Sequence, residues 1–119
     1  MIVDASGFMG AVKYGTLHRI TDPKTVTLIR YELGNIVWKM QRWGNVEAPE
    51  KLLEEWLQAV ESFEVVEPDY KEVLAMAVES RLSFYDAAYL WLAKREKEPI
   101  LTMDRDFEKK WDVVHPRDL

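Results

Sequence analysis

Short apolar runs alternate along this chain with stretches in which apolar residues recur every three or four positions. That alternation is the pattern of an α/β layer fold with a parallel sheet. Ile2 and Val3 begin a buried strand that ends at Asp4, and Ser6-Gly7 turns the chain into a short helix carrying Phe8, Met9 and Val12. After Thr21-Asp22-Pro23, the run Thr25-Val26-Thr27 predicts a strand, and a long helix follows to about Trp43, where Gly44 stops it. Ile29, Leu33, Ile36, Val37 and Met40 share one face of that helix. A second helix opens near Pro49 with Leu52, Leu53, Trp56, Leu57 and Val60. Phe63 to Val66 predicts a further strand, and Pro68 opens a helix with Val73, Leu74, Met76 and Ala77 inward.

The next helix starts at Ser83 and is apolar nearly all round from Phe84 to Ala93, which predicts burial between neighbours. Pro99 to Met103 is a second buried strand, and it too ends in an aspartate, Asp104. A short helix to Trp111 and a last strand, Val113-Val114, complete the pattern. No repeat, low-complexity segment or linker interrupts it, so the 119 residues predict a single domain, 1–119.

Composition narrows the chemistry. A net charge of -5 argues against binding polyanions by bulk attraction, although a local basic rim remains compatible with it. With no cysteine and only His18 and His115, thiolate chemistry, a structural zinc site and a histidine-pair mechanism are all disfavoured. What chemistry there is must use oxygen. The opening Met1-Ile2-Val3-Asp4 lacks the pattern of a secretory signal. The longest apolar run, Ala87 to Ala93, has seven residues against the roughly 18 of a membrane span. A cytoplasmic protein without a membrane partner is expected. The thermolabile amides are few, Gln41, Gln58, Asn35 and Asn45, and charged residues abound, as in thermostable proteins.

The informative residues are carboxylates in unusual company. Asp86 is the only charged residue between Arg81 and Lys94, and burial of an unpaired carboxylate is costly. Ser83-Phe84-Tyr85-Asp86 also fits a helix capping box, and both roles can hold at a helix N-terminus. Asp4 and Asp104 each end an apolar strand, at the sheet edge where α/β proteins place ligand crevices, yet either could equally be a plain helix cap. Ser6 and Thr102 share that ambiguity. Glu32 lies on the shoulder of its helix's apolar stripe, with Asn35 three residues on.

Asp4, Glu32, Asp86 and Asp104, separated by 28, 54 and 18 residues, can converge on one edge of a parallel sheet. Two carboxylates about 4 Å apart repel by roughly 4 kcal/mol at an effective dielectric of 20, so such a cluster demands a cation. An all-oxygen site suits Mg²⁺ or Mn²⁺, whose usual use is phosphoryl chemistry.

Four segments resemble the motifs of PIN-domain ribonucleases, and within them the VapC-type toxins of prokaryotic toxin-antitoxin pairs. They are Ile2-Val3-Asp4-Ala5-Ser6, Tyr31-Glu32-Leu33-Gly34-Asn35, Ser83-Phe84-Tyr85-Asp86-Ala87-Ala88, and Leu101-Thr102-Met103-Asp104-Arg105-Asp106-Phe107. The resemblance implies a three-layer α/β/α PIN-like fold with a central parallel sheet. It also implies an Mg²⁺- or Mn²⁺-dependent endoribonuclease that hydrolyses single-stranded RNA, leaving a 5'-phosphate and a 3'-hydroxyl. By position, Asp4, Glu32, Asp86 and Asp104 would be the catalytic, metal-holding quartet, with Ser6, Asn35 and Thr102 in support and Asp106 secondary. A homodimer and a cognate antitoxin covering the acidic pocket are implied as partners. The helices carrying Trp38 to Trp43 and Trp56 to Val60 are candidate surfaces for them.

An acidic protein that takes RNA needs a local basic rim, for which Arg30, Lys39, Arg42, Arg81 and Arg105 lie near the motifs. Trp38, Trp43 and Trp91 could stack bases, but their apolar helical stripes favour core or interface burial. Two alternatives remain open: a catalytically silent PIN-like binding module, and a PIN nuclease of RNA processing.

Overall fold

The computed structural model describes residues 1–119. Five short strands form one parallel sheet: β1 (Ile2–Val3), β2 (Lys24–Val26), β3 (Glu64–Val66), β4 (Ile100–Leu101) and β5 (Val113–Val114), in the order β3-β2-β1-β4-β5. Register is set at the centre, where Ile2 and Val3 lie opposite Ile100 and Leu101. From β1 the chain winds outward through β2 to β3, then crosses back to place β4 on the other side of β1. The C-terminal ends of β1 and β4 therefore flank the point where the winding reverses, the position at which open α/β sheets form a crevice.

Five helices connect the strands: α1 (Ala5–Tyr14), α2 (Ile29–Arg42), α3 (Pro49–Val60), α4 (Tyr70–Ser80) and α5 (Phe84–Glu96). Adjacent residues of a strand point to opposite faces. Ile2 and Ile100 accordingly enter an apolar cluster with α4, α5 and Phe107, whereas Val3 and Leu101 enter one with α1, α2 and α3. These two cores on one sheet are the expected three-layer α/β/α arrangement. Within the second, Phe8 packs edge-on against Trp56 at 5.8 Å between ring centres. No helix is long and apolar enough to cross a membrane.

The structure corrects several expectations. Buried residues run without a break from Ala87 to Ala93, but Phe84 and Tyr85, in the first turn of α5, are exposed and line a surface hollow with Thr27, Tyr31 and Tyr70 instead of the core. On α4, Val73 and Ala77 face the core while Leu74 turns outward, since no element packs on that side. Trp38 and Trp43 are exposed, which removes core burial and is compatible with the interface alternative, whereas Trp91 is buried as expected. Trp56 and Val60 are core residues and offer no surface to a partner. The helix expected before Trp111 is only a tight turn, Arg105–Phe107.

Candidate active site

The crevice is built from strand ends. Asp4 follows β1 directly and caps α1, its Oδ1 accepting from Gly7 N at 2.7 Å and from Ser6 Oγ at 2.9 Å. Its Oδ2 accepts from Thr102 Oγ1 at 2.6 Å, across the gap to the residue after β4. Ser6 Oγ accepts from Met103 N, and Thr102 Oγ1 from Asp104 N, each at 2.9 Å. Both hydroxyls thus tie the first turn of α1 to the segment that carries Asp104. Gly7 makes the approach possible, because a Cβ there would lie 1.9 Å from the Leu101 carbonyl oxygen. Asp4 is 5% exposed, and burial pushes its carboxyl up to about 7 against three donors that lower it, with the charge of Glu32 adding to the rise.

Glu32, in the first turn of α2, accepts from the Tyr89 hydroxyl at 2.5 Å. Partial burial raises its pKa, the Tyr89 bond opposes, and the charge of Asp86 raises it further. Asp86 lies in the first turn of α5, where its backbone N–H donates to Ser83 Oγ at 3.1 Å. This is one half of the capping box. The Asp86 carboxylate makes no return bond to the Ser83 N–H. Desolvation raises its pKa first, the charges of Asp104 and Asp106 raise it further, and the Ser83 side chain opposes the rise.

Asp104 caps the turn that follows β4, accepting from Asp106 N at 2.9 Å. Carboxylate oxygens of Asp86, Asp104 and Asp106 lie within 4.8 Å of one another. That spread is comparable to the roughly 4.2 Å between opposite oxygen ligands of Mg²⁺, and an all-carboxylate set is the chemistry that hard cations select. Glu32 and Asp4, also expected to hold the metal, fall outside this close group, although the charge of Asp86 raises the Glu32 carboxyl and that of Glu32 raises Asp4, so the acids follow one another inward as a row. Asp106, secondary on sequence grounds, belongs to the tightest group.

Two sets of side chains flank the row. On one side Arg81, Arg105, Lys109 and Lys110 share with Asp86, Asp106 and Glu108 a hollow of about 400 Å³, in which Arg105 pairs with Glu108 at 3.7 Å. Arg81 ends α4 in the left-handed conformation at φ 58°, which turns the chain into the Ser83 cap. On the other side Ser6, Glu32 and Asn35 line a hollow of about 690 Å³ with Leu28, Tyr31 and Tyr85. Arg30 lines the neighbouring hollow, which shares Leu28, Tyr31 and Tyr85. Of the basic residues expected near the motifs, Arg81 and Arg105 thus stand beside the carboxylates. Lys39 and Arg42 line none of these hollows: Arg42 is about 10 Å along α2 from Asn35, with its guanidinium 5.3 Å from the Trp38 ring centre.

Sequence reading missed Tyr89, Gly7, Lys109 and Lys110. Tyr89 was legible as the one hydroxyl in the buried run of α5, a turn beyond Asp86. The lysines show as a short charge run after the fourth motif. The close approach at Gly7 has no local signal.

A model of the PIN domain matches residues 14–111. The chain belongs to the PIN domain family. Within it, the chain is of the VapC type. It is 34% identical over 96 residues to Ribonuclease VapC3 of Pyrobaculum aerophilum, covering 76% of this chain and 72% of that protein. It is 41% identical over 83 residues to Exonuclease VapC9 of the same organism, covering 67% of this chain but only 60% of that relative's length. Among solved structures, PAE2754 from Pyrobaculum aerophilum superposes with a TM-score of 0.80 at 32% identity, covering 95% of this chain and 87% of the other. A chain of a toxin-antitoxin complex from Klebsiella pneumoniae has a TM-score of 0.68 at 14% identity, with 99% and 98% covered, a likeness of fold.

Proposed function

We propose that this PIN domain is a divalent-metal-dependent endoribonuclease that cuts single-stranded RNA, and that it serves as the toxin of a toxin-antitoxin pair. The observation that carries the reading is the convergence of Asp86, Asp104 and Asp106 at the crevice between β1 and β4, beside four cations. Asp86, Asp104 and Asp106 would hold Mg²⁺ or Mn²⁺, with Glu32 next in the row. When bound, such an ion lowers the pKa of water and neutralises charge building on a phosphodiester.

The protein's own groups prepare that edge. Asp4 gives Oδ1 wholly and Oδ2 partly to Ser6, Gly7 and Thr102, so its first task is to fix the two strand ends at a constant separation. Its free acceptor direction on Oδ2 completes the acidic quartet. Tyr89 fixes Glu32 by donating to Oε1 and favours its ionised form. Arg81 and Arg105 supply cations where RNA phosphates would approach. Hollows on both sides of the carboxylates let a strand run through the site instead of ending there, which supports internal cutting although one relative carries the name exonuclease. A cytoplasmic homodimer whose antitoxin covers the acidic edge accompanies this reading.

The test is cleavage of a labelled single-stranded RNA, in linear and closed-circular form, by purified protein with Mg²⁺, Mn²⁺ or EDTA. Cutting of the circle that needs the metal and is lost in Asp86→Asn is expected. Full activity in EDTA would overturn the metal role. Cutting of the linear form alone would overturn internal cleavage. A folded, partner-free protein inactive with every metal would make the domain a silent binding module.

A further inference from the structure

The aromatic residues beside the carboxylates are in the wrong place for a protein that only stabilises itself. Tyr31 is 83% exposed and Tyr85 60%, and both line each of two adjoining hollows, one of which also contains Glu32. Neither ring contacts another aromatic ring, and neither hydroxyl is hydrogen-bonded, unlike those of Tyr70 and Tyr89. Two uncommitted phenol rings at the mouth of a crevice are available to a ligand.

We propose that Tyr31 and Tyr85 form a stacking subsite for unpaired nucleobases, while the hollow of Arg81, Arg105, Lys109 and Lys110 takes the backbone phosphates of the same strand. The choice of a single-stranded nucleic acid as occupant rests on the ribonuclease reading above and on two features of the surface. First, the hollow containing Tyr31 and Tyr85 also contains Ser6 and Glu32, so it is continuous with the carboxylate row. Second, the first turn of α5 divides the chemistry: Ser83 and Asp86 line the cationic hollow, and Tyr85 lines the aromatic one. A strand crossing that turn meets cations with its phosphates and aromatic faces with its bases. A duplex cannot use both, because its bases are already stacked and paired.

Net charge makes the stacking necessary. At -5, the protein repels a polyanion at long range, and the four local cations work against that field and against Asp86, Asp106 and Glu108 in the same hollow, Glu108 lying 3.7 Å from Arg105. Stacking on an aromatic face is insensitive to that repulsion and tolerates any base. Arg30, at the edge of the neighbouring hollow, adds one cation on the aromatic side, partly offset by Glu67.

Binding, measured without cutting, tests this. A labelled oligoadenylate and an abasic oligonucleotide of the same length are titrated with the full chain carrying Asp86→Asn, in Mg²⁺, and followed by fluorescence anisotropy. The oligoadenylate is expected to bind about five- to one-hundredfold more tightly than the abasic strand. Tyr31→Ala and Tyr85→Ala are expected to lose most of that preference, and Tyr31→Trp and Tyr85→Trp to keep it. Arg81→Ala and Arg105→Ala should weaken both strands alike and reduce the salt dependence.

Equal binding of the two strands, or a preference untouched by both alanine variants, would overturn the subsite. So would loss of a purified protein inhibitor's binding in Tyr31→Ala with RNA binding intact, which would assign the hollow to a protein. Tyr31, Tyr85, Arg81 and Arg105 are exposed, so circular dichroism and melting of these variants should match the Asp86→Asn protein that carries them. Because binding is read apart from cutting, a base preference in a protein that never cuts would sink the nuclease reading alone. Cutting without a base preference would sink the stacking subsite alone.

Discussion

Asp4 allows a sharp test of what the crevice costs the fold. In the metal-free protein its carboxyl is raised from 3.8 to about 7, chiefly by burial. Between those values the folded chain holds a proton that the unfolded chain releases, so stability must fall as pH rises through the window. At 1.36 kcal/mol per pH unit the full contribution is about 4 kcal/mol, present below about pH 4 and gone above pH 7. Glu32 and Asp86 are raised as well and act in the same direction. Asp22, Glu67 and Glu98 are lowered, so what they contribute is lost only on acidification through and below their ordinary range, at the other end of the scale.

Asp4→Asn isolates the one group, because the hydrogen bonds survive the exchange. The amide oxygen can accept from Gly7 N and Ser6 Oγ as the carboxylate does. The amide nitrogen can donate to Thr102 Oγ1, whose own proton then turns to Ser6 Oγ, 3.1 Å away. Urea unfolding from pH 4.5 to 8 in EDTA should show the parent losing stability with rising pH and Asp4→Asn losing less. The gap should widen toward alkaline pH and reach a few kcal/mol. With Mg²⁺ present the parent curve should flatten, since a nearby cation favours the ionised carboxylates. Parallel curves for the two proteins in EDTA would refute the reasoning, for they would mean that the buried carboxyl of Asp4 carries no penalty.

Two further substitutions probe the scaffold. Gly7→Ala puts a Cβ 1.9 Å from the backbone oxygen of Leu101, which has no side-chain freedom to yield, so a loss of about 3 kcal/mol or more is expected in urea unfolding. Tyr89→Phe removes the donor to Glu32 from a buried position. It should cost roughly 1.5 to 3 kcal/mol of stability and move the acid limb of the cleavage pH profile upward as Glu32 becomes harder to ionise.

What the sequence made legible was set by periodicity and by punctuation. The strands ending at Asp4 and Asp104 are apolar pairs closed by an acid, and the long stripe from Ile29 to Met40 needs no tertiary knowledge. Punctuation of this kind puts the acids on one sheet edge without reference to tertiary structure. Apolar periodicity counts candidates for burial without naming the partner, however. Leu74, Trp38 and Trp43 lie on or near apolar stripes, yet no neighbour covers them. Phe84 and Tyr85 belong to an apolar run but lie in its first turn, where they face a surface hollow and not the core. The contact that forces Gly7 is made with a residue 94 positions away, so nothing local announces it.

The row of carboxylates also divides into two by environment. At its inner end Asp4 is buried and surrounded by donors, whereas at its outer end Asp106 is exposed and Asp86 and Asp104 are half-buried. A cation entering from solvent meets the outer three first. Their mutual repulsion, screened by solvent at this exposed end, is relieved when it binds. The inner acid, by contrast, holds the ends of β1 and β4 together whether or not a cation is present. Removing an outer carboxylate should therefore weaken metal binding with little change in the metal-free fold, and removing the inner one should change the pH dependence of the fold itself. A sequence shows four or five acids in strand-end and helix positions; it is their depth that separates the ion-holding from the strand-tying ones.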